Sequence, residues 1–421
     1  MNILVLTPFF SCEGYENIWD IRYDPQGGMQ LMISRLCKAI VKADSNYKID
    51  VVTMGQPNIP RHRKYFKNID IYSYRVPIPK IKSSLGGYCG LIKSWAVSSM
   101  VHLLVFPKKY DVIFAHADGS GTALLLYYVI SRIKGIPLIL QIHSSRGATQ
   151  TATTIWEMIT NKLACKIELK AVQLAKYIYT LSDQTTAYFN SNIKMKKNIR
   201  KFVYLPNLNM FLHPVASNST EFNSIISRNK TNILYVGRVS AEKGCNIIVD
   251  IAKKIDTNRF HFVFCGDGPE LDNIKKLVIK NQLTNAFTFL GFIAHEKIPH
   301  IISLCNIGIV PSEYEELGLV ILEMMAGKLP VIANDLSTVK QIISNGMNGL
   351  LVSKGNVDSW IRAIQLISED DTLKQTIINN AFQKAKGISS IDSVAQIMVG
   401  DIERVGNHEK WYKASKRNKQ S

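Results

Sequence analysis

The chain has 421 residues, 46% hydrophobic and 20% charged, which is enough for the cores of two globular domains of ~150–200 residues each. No apolar run reaches the ~18–20 residues that cross a bilayer, the longest lying around 96–106 and 123–133, and this excludes an integral membrane protein. The opening Met-Asn-Ile-Leu-Val-Leu-Thr-Pro has no basic segment before its apolar run, so it predicts a first buried strand, no signal peptide and a cytoplasmic protein. Seven scattered cysteines, without a C-x-x-C pair or a histidine at zinc spacing, argue against a disulfide framework and against a structural metal. The net charge of +18 is uneven, about +15 in residues 1–206 and about +3 in the remainder. Such a bias fits an anionic ligand or surface, and equally a solvated lysine-rich face.

In chain order, Ile3–Leu6, Asp50–Thr53, Val112–Ala115, Leu138–Ile142 and Tyr177–Thr180 predict buried parallel strands, with helical patterns between them. The series pauses at a Ser/Asn-rich linker, 207–230, and restarts with strands at Ile233–Val236, His261–Cys265, Thr288–Leu290, Ile307–Val310 and Val331–Ala333. From Val357 to Val405 the pattern is helical throughout, and Lys410–Lys419 is expected to be a disordered basic tail. The expected fold class is α/β, with two doubly wound Rossmann-like domains, 1–206 and 231–390, facing a central cleft, and a C-terminal helix and tail over 391–421. Ligands bind such folds at the carboxyl ends of the strands.

Two segments of the second half hold the chemistry. In Tyr-Val-Gly-Arg-Val-Ser-Ala-Glu-Lys-Gly (235–244) a strand ends at Gly237, where backbone can approach a ligand, and the cations Arg238 and Lys243 flank a turn into a helix. Charge and geometry suit a diphosphate, although the same segment alone also reads as an ordinary strand-to-helix turn. In Pro311-Ser-Glu-Tyr-Glu-Glu-Leu-Gly-Leu-Val-Ile-Leu-Glu323, a loop of three carboxylates leads into a helix starting near Gly318, so the amides of Leu319 and Val320 form an anion site. Glu323 lies more than a turn inside that helix among apolar neighbours. A carboxylate there needs partners, such as the vicinal hydroxyls of a bound group.

The spacing of Glu315 and Glu323 around Gly-Leu-Val, the G-R-x-x-x-x-K-G segment about eighty residues earlier, and Cys-Gly-Asp-Gly-Pro (265–269) between them resemble the retaining glycosyltransferases of the GT-B fold, family 4 and group 1. The resemblance spans nearly the whole chain. It implies that Arg238 and Lys243 neutralise the donor diphosphate, that Glu323 binds the ribose hydroxyls and that Glu315 contacts the transferred sugar. Leu317 departs from the aromatic residue or cysteine usual in the family, which affects packing near the sugar and leaves both carboxylates in place. Base contacts are expected from backbone around Gly291 and Phe292. Sugar departure develops negative charge on the phosphates and positive charge on the anomeric carbon, so fixed cations and helix amides lower the barrier. No D-x-D pattern occurs in the relevant loops, so no metal is expected, and no cofactor beyond the nucleotide sugar as co-substrate. The family route lets the leaving phosphate take the acceptor proton.

In the first half, Asp24-Pro-Gln-Gly27-Gly28-Met-Gln precedes a helical pattern, and by the resemblance this loop lines the donor phosphates and the acceptor pocket. His143, directly after the strand Leu138–Ile142, matches a family position near the reacting sugar. Leu-Thr-Pro-Phe-Phe (6–10), the Asp24 segment, Pro57-x-x-Pro-Arg, His116-Ala-Asp-Gly and His143-Ser-Ser-Arg146 resemble the transferases that glycosylate 2-deoxystreptamine in aminoglycoside assembly, usually from UDP-N-acetylglucosamine. The resemblance places Asp24, Gly27, Asp118, His143 and Arg146 at the acceptor. Glu13, Glu16, Asp20, Asp24 and Asp118 would then gather around a cationic aminocyclitol, and equally read as acids that offset neighbouring lysines or cap helices. An alternative is a cell-envelope transferase acting on a lipid-linked or surface saccharide at the inner membrane face, with Lys80, Lys82 and Lys93 bracketing the apolar stretch Leu85–Trp95 against an anionic bilayer. A nucleic-acid-binding protein is the alternative of another class, but no basic-aromatic module is present, so no nucleic acid partner is expected.

Overall fold

A computed structural model describes residues 1–417 apart from 12, 16–17, 19–27, 56–57, 76–99, 101, 103, 105–107, 119–120, 150–154, 194–197, 203, 206–207, 213–221, 223–225 and 227–228. The described residues divide into two compact units. The first runs from the N-terminus through β9 and includes the last helix, and the second lies within 207–390.

The first unit contains β1 (Asn2–Leu6), β2 (Lys48–Gly55), β3 (His62–Phe66), β4 (Ile69–Arg75), β5 (Val112–Asp118), β6 (Leu138–Ser144), β7 (Tyr177–Thr180), β8 (Asn198–Lys201) and the short β9 (Tyr204–Leu205). Its sheet has the order β3-β4-β2-β1-β5-β6-β7-β8 and is parallel except for β3, which pairs antiparallel with β4. Residues Ile3 to Leu6 are fully buried because helices cover both faces of the sheet, as a parallel sheet requires. The strands β3, β4 and β8 were not foreseen: β3 and β8 are edge strands of largely polar sequence (HRKYF and NIRK), with no apolar run to announce them.

The helix Ile391–Arg417 also belongs to this unit, not to a separate C-terminal segment. It packs on the helix Gly28–Ala43 and buries Val394, Ala395, Met398, Ile402 and Val405 at helical spacing. Asp401 on its buried face accepts hydrogen bonds from Tyr179 Oη (3.1 Å) and Arg200 Nη1 (2.8 Å). The helix continues to Arg417, into the stretch expected to be disordered; no proline interrupts it and Glu, Lys and Ala in its last turns favour helix.

The second unit is a six-stranded parallel sheet in the order β12-β11-β10-β13-β14-β15, formed by β10 (Thr231–Val236), β11 (Phe260–Cys265), β12 (Phe287–Gly291), β13 (Ile307–Val310), β14 (Val331–Asn334) and β15 (Leu350–Val352). Its core holds Ile233, Phe262, Ile309, Trp360 and Ile364. Leu208–Leu212 is a helix inside the expected linker, with Phe211 buried. No helix among the described residues is long and apolar enough to cross a membrane.

The turns after β10 and β11 touch backbone to backbone. At Gly266, φ is +147° and a Cβ would lie 1.8 Å from the carbonyl oxygen of Gly237. Gly266→Ala is therefore expected to strain the unit by about 1–3 kcal/mol or more, lowering Tm by about 5 °C in thermal melts followed by circular dichroism. An unchanged Tm would show that this approach is not required.

Candidate active site

The turn after β10 is fixed by backbone. Gly237 N–H donates to Cys265 O (3.0 Å), Val239 N–H to Asp267 O (2.9 Å) and Tyr235 Oη to Arg238 O (2.6 Å). The following 3₁₀ turn, Ala241–Lys243, closes on Gly244 at φ +63°, where a Cβ would fall 2.2 Å from Pro311 O. Only glycine allows that contact, and it seats Lys243 against the loop after β13. Lys243 Nζ lies 2.5 Å from Glu315 Oε1, which also accepts Ser312 Oγ at 2.8 Å. Thr338 Oγ1 donates to Glu315 O (2.6 Å), and Asn334 Nδ2 donates to the carbonyls of Pro311 (2.8 Å) and Ser312 (3.1 Å). Glu315 is 9% exposed, so its charge depends on this cation and hydroxyl. Arg238 stays largely open to solvent, with Nη1 3.9 Å from Glu242 Oε1, a contact too exposed and long to immobilise it.

Gly318, at φ +61°, caps the helix Leu319–Ala326. The first intrahelical bond is Ile321 N–H to Gly318 O (2.9 Å), so the amides of Leu319 and Val320 precede the helical ladder, as at any helix start. Glu323 is 7% exposed and its Oε1 lies 2.8 Å from His295 Nε2. Phe211 meets the His295 ring edge-on at 5.4 Å and fixes its plane. The expected carboxylate-in-helix is therefore real, and within the protein its partner is a histidine. Gly291 ends β12 at φ +69°, its carbonyl accepting Gly266 N–H (2.7 Å), and Phe292 beyond it is exposed.

In the first unit, His143 on β6 lies with its Nε2 3.1 Å from His116 Nδ1 on β5. Asp118 closes β5 in register with Ser144, Arg146 opens the helix Arg146–Thr149, and Gly28 opens the helix Gly28–Ala43. Asp24 and Gly27 lie outside the described residues, as do Glu16, Asp20, Lys80, Lys82, Lys93 and the stretch 85–95. Glu13, read either as an acceptor carboxylate or as an offset to a neighbouring lysine, accepts Lys38 Nζ (2.8 Å) and Tyr65 Oη (2.7 Å). It offsets a neighbouring lysine. Sequence reading missed His116, His295, Ser312, Asn334 and Thr338. His116 and Ser312 stood in segments already singled out, whereas Asn334, at the end of β14, and Thr338, in the loop beyond it, have no signal of their own.

A Gly-Arg and Lys turn after the first strand of the second sheet and a Glu-x₇-Glu loop and helix after its fourth thus stand at the carboxyl ends of their strands, where doubly wound folds bind ligands. The pattern of "Glycosyl transferases group 1" matches residues 218–384 and that of "Glycosyltransferase Family 4" matches residues 26–207. The chain belongs to the GT-B glycosyltransferases of this group. It is 31% identical over 366 residues to an alpha-D-kanosaminyltransferase of Streptomyces kanamyceticus, covering 85% of this chain and 95% of that one. It is 28% identical over 372 residues to a 2-deoxystreptamine N-acetyl-D-glucosaminyltransferase of Streptomyces fradiae, covering 86% and 87%. Among solved structures, sucrose-phosphate synthase of Thermosynechococcus elongatus shares the fold with a TM-score of 0.77 at 20% identity, covering 96% of this chain and 98% of that one.

Burial holds the His143 imidazole down at about 3, and burial with the adjacent His143 ring keeps His116 well below the ordinary imidazole range. Both rings are neutral in the folded protein at neutral pH, whereas in the unfolded chain they protonate below about 6.5. As pH falls from about 6.5 toward about 3, the unfolded state takes up protons that the folded state refuses, so stability is lost over that window. The urea midpoint is expected to fall with pH there, and less steeply in His143→Gln. Equal slopes in the two proteins would contradict the buried neutral pair.

Proposed function

We propose that this glycosyltransferase is a retaining, metal-independent enzyme that moves an amino sugar from a UDP-sugar to a hydroxyl of a cationic aminocyclitol such as 2-deoxystreptamine. UDP-N-acetylglucosamine is the first choice of donor. The observation that carries the donor site is the contact of Lys243 with the buried Glu315, at the end of the turn that Gly237 and Arg238 open. In this reading Arg238, Lys243 and the amides of Leu319 and Val320 take the charge that grows on the diphosphate, Glu323 accepts the ribose hydroxyls, and Glu315 holds the transferred sugar. The bond from the anomeric carbon to the phosphate oxygen breaks while the acceptor oxygen bonds to the same face of that carbon. The acceptor proton passes to the leaving phosphate oxygen, so no protein nucleophile or metal is needed.

The acceptor is supported by the two Streptomyces relatives, whose names specify kanosaminyl transfer and 2-deoxystreptamine glycosylation, and which match the chain over most of both lengths. His143 and Asp118, at the ends of adjacent strands, fall to the acceptor side of the reaction in this reading. A lipid-linked saccharide of the cell envelope is the second reading, supported by the basic excess of residues 1–206.

The test is a matrix of UDP- and GDP-sugars against 2-deoxystreptamine and an undecaprenyl-diphosphate saccharide, read by mass spectrometry with EDTA present. A glycosylated 2-deoxystreptamine is the expected product, and Lys243→Ala or Arg238→Ala lowers its rate by ~10²-fold, the scale for removing one preorganised charge. Transfer to the lipid-linked acceptor alone would replace the first reading by the second. Near-wild-type rates in both variants would move the diphosphate elsewhere.

A further inference from the structure

The face of the first sheet that carries His143 is unusually polar for a core. His116 on β5 stands in register with Gln141 on β6, and Gln141 and His143, two residues apart, share a face. His116 and Gln141 are 0% exposed and His143 is 7% exposed. Both side-chain amide atoms of Gln141 and the Nε2 of His116 are buried without a partner. Buried polar atoms without partners are costly and uncommon, and where they persist they call for a reason beyond packing.

The two imidazoles share one hydrogen bond, between His116 Nδ1 and His143 Nε2 at 3.1 Å, and each neutral ring has one proton to place. If the proton of His143 sat on Nε2, it would donate to His116 Nδ1, and the His116 proton would be forced onto Nε2, where no acceptor exists. If the proton of His116 sits on Nδ1, it makes the bond, and His116 Nε2 is left with an orphaned lone pair in place of an orphaned N–H. An orphaned buried N–H is the rarer and costlier of the two outcomes. We propose that His116 is a positioning residue that donates from Nδ1 to His143 Nε2 and so holds His143 as the Nδ1–H tautomer, a hydrogen-bond donor and not a base toward a bound hydroxyl or sugar oxygen.

The phenyl ring of Phe114 lies 4.4 Å from the His116 ring on the same strand face and packs against it. Burial keeps both rings neutral, so neither acquires the second proton that would erase the difference between tautomers. The assignment divides the work of the site. The acceptor proton has no destination on His143 and must leave by another route, in accord with its passage to the leaving phosphate. In this respect the inference rests on the proposed function, whereas the tautomer itself does not.

The experiment is a long-range ¹H–¹⁵N correlation spectrum of the full chain labelled with ¹⁵N-histidine at pH 7.5, with the two rings assigned by the signals missing in His143→Gln and in His116→Asn. Both rings are expected as Nδ1–H tautomers. A His143 ring protonated on Nε2 in the wild-type protein overturns the proposal, with or without enzyme activity. His116→Leu, which removes the donor, is expected to leave His143 as a mixture of tautomers and to lower kcat on the order of tenfold with donor KM unchanged. His116→Asn, whose amide can donate from nearly the same place, is expected to restore the Nδ1–H signal and most of kcat. An unaltered His143 tautomer in folded His116→Leu would also overturn it. Failure of the wild-type chain to transfer any sugar, with the Nδ1–H tautomer present, would count against the proposed function and leave the pair standing.

Discussion

A carboxylate withdrawn from water must be given partners, and the second unit is arranged around two that are. Glu315 and Glu323 are nearly buried, and each has one oxygen committed, the first to Lys243 and Ser312 and the second to His295. The surrounding backbone serves these contacts. Gly244 brings the Lys243 turn against Pro311, Asn334 and Thr338 tie down the carbonyls of the loop, and Gly318 in the left-handed region starts the helix that carries Glu323 inward. A change of one methyl group at Gly244 meets a carbonyl oxygen, so the cation and carboxylate can hold their places only with that glycine.

The first unit meets the same constraint in another form. Asp401 and Asp50 are buried with a cation and a tyrosine hydroxyl each, Arg200 and Tyr179 for one and Lys108 and Tyr110 for the other. These groups are satisfied and hold the sheet to its covering segments. In the His116–His143 pair one nitrogen, His116 Nε2, has no partner among the described residues.

The parallel strands were legible because a strand buried on both faces is a continuous apolar run, and Ile3–Leu6, Val112–Ala115 and Ile307–Val310 are such runs. The edge strands β3 and β8 were not legible, since one side of each lacks a partner strand and their polar residues reach water. Among site residues, Lys243, Glu315 and Glu323 could be read because spacing along one chain brings charge to the ends of strands. Their partners could not. His295 reaches Glu323 across 28 positions and Thr338 reaches the Glu315 carbonyl across 23, and such pairings are set by sheet order. The C-terminal helix was seen as a helix, but its place on the helix Gly28–Ala43 depends on a tertiary contact that periodicity does not encode.

Whether the two buried carboxylates are kept for a ligand is read by calorimetry of UDP binding in EDTA. Glutamine keeps the shape of either side chain and its capacity to accept the observed hydrogen bonds, so the substitutions remove charge more than structure. The account predicts that wild-type protein binds UDP without metal, that Glu323→Gln weakens the affinity about tenfold as a charge-assisted bond to a hydroxyl is lost, and that Glu315→Gln binds UDP nearly as wild type while turning over more slowly. Undiminished UDP affinity in Glu323→Gln, with undiminished turnover in Glu315→Gln, would contradict it and make both carboxylates structural.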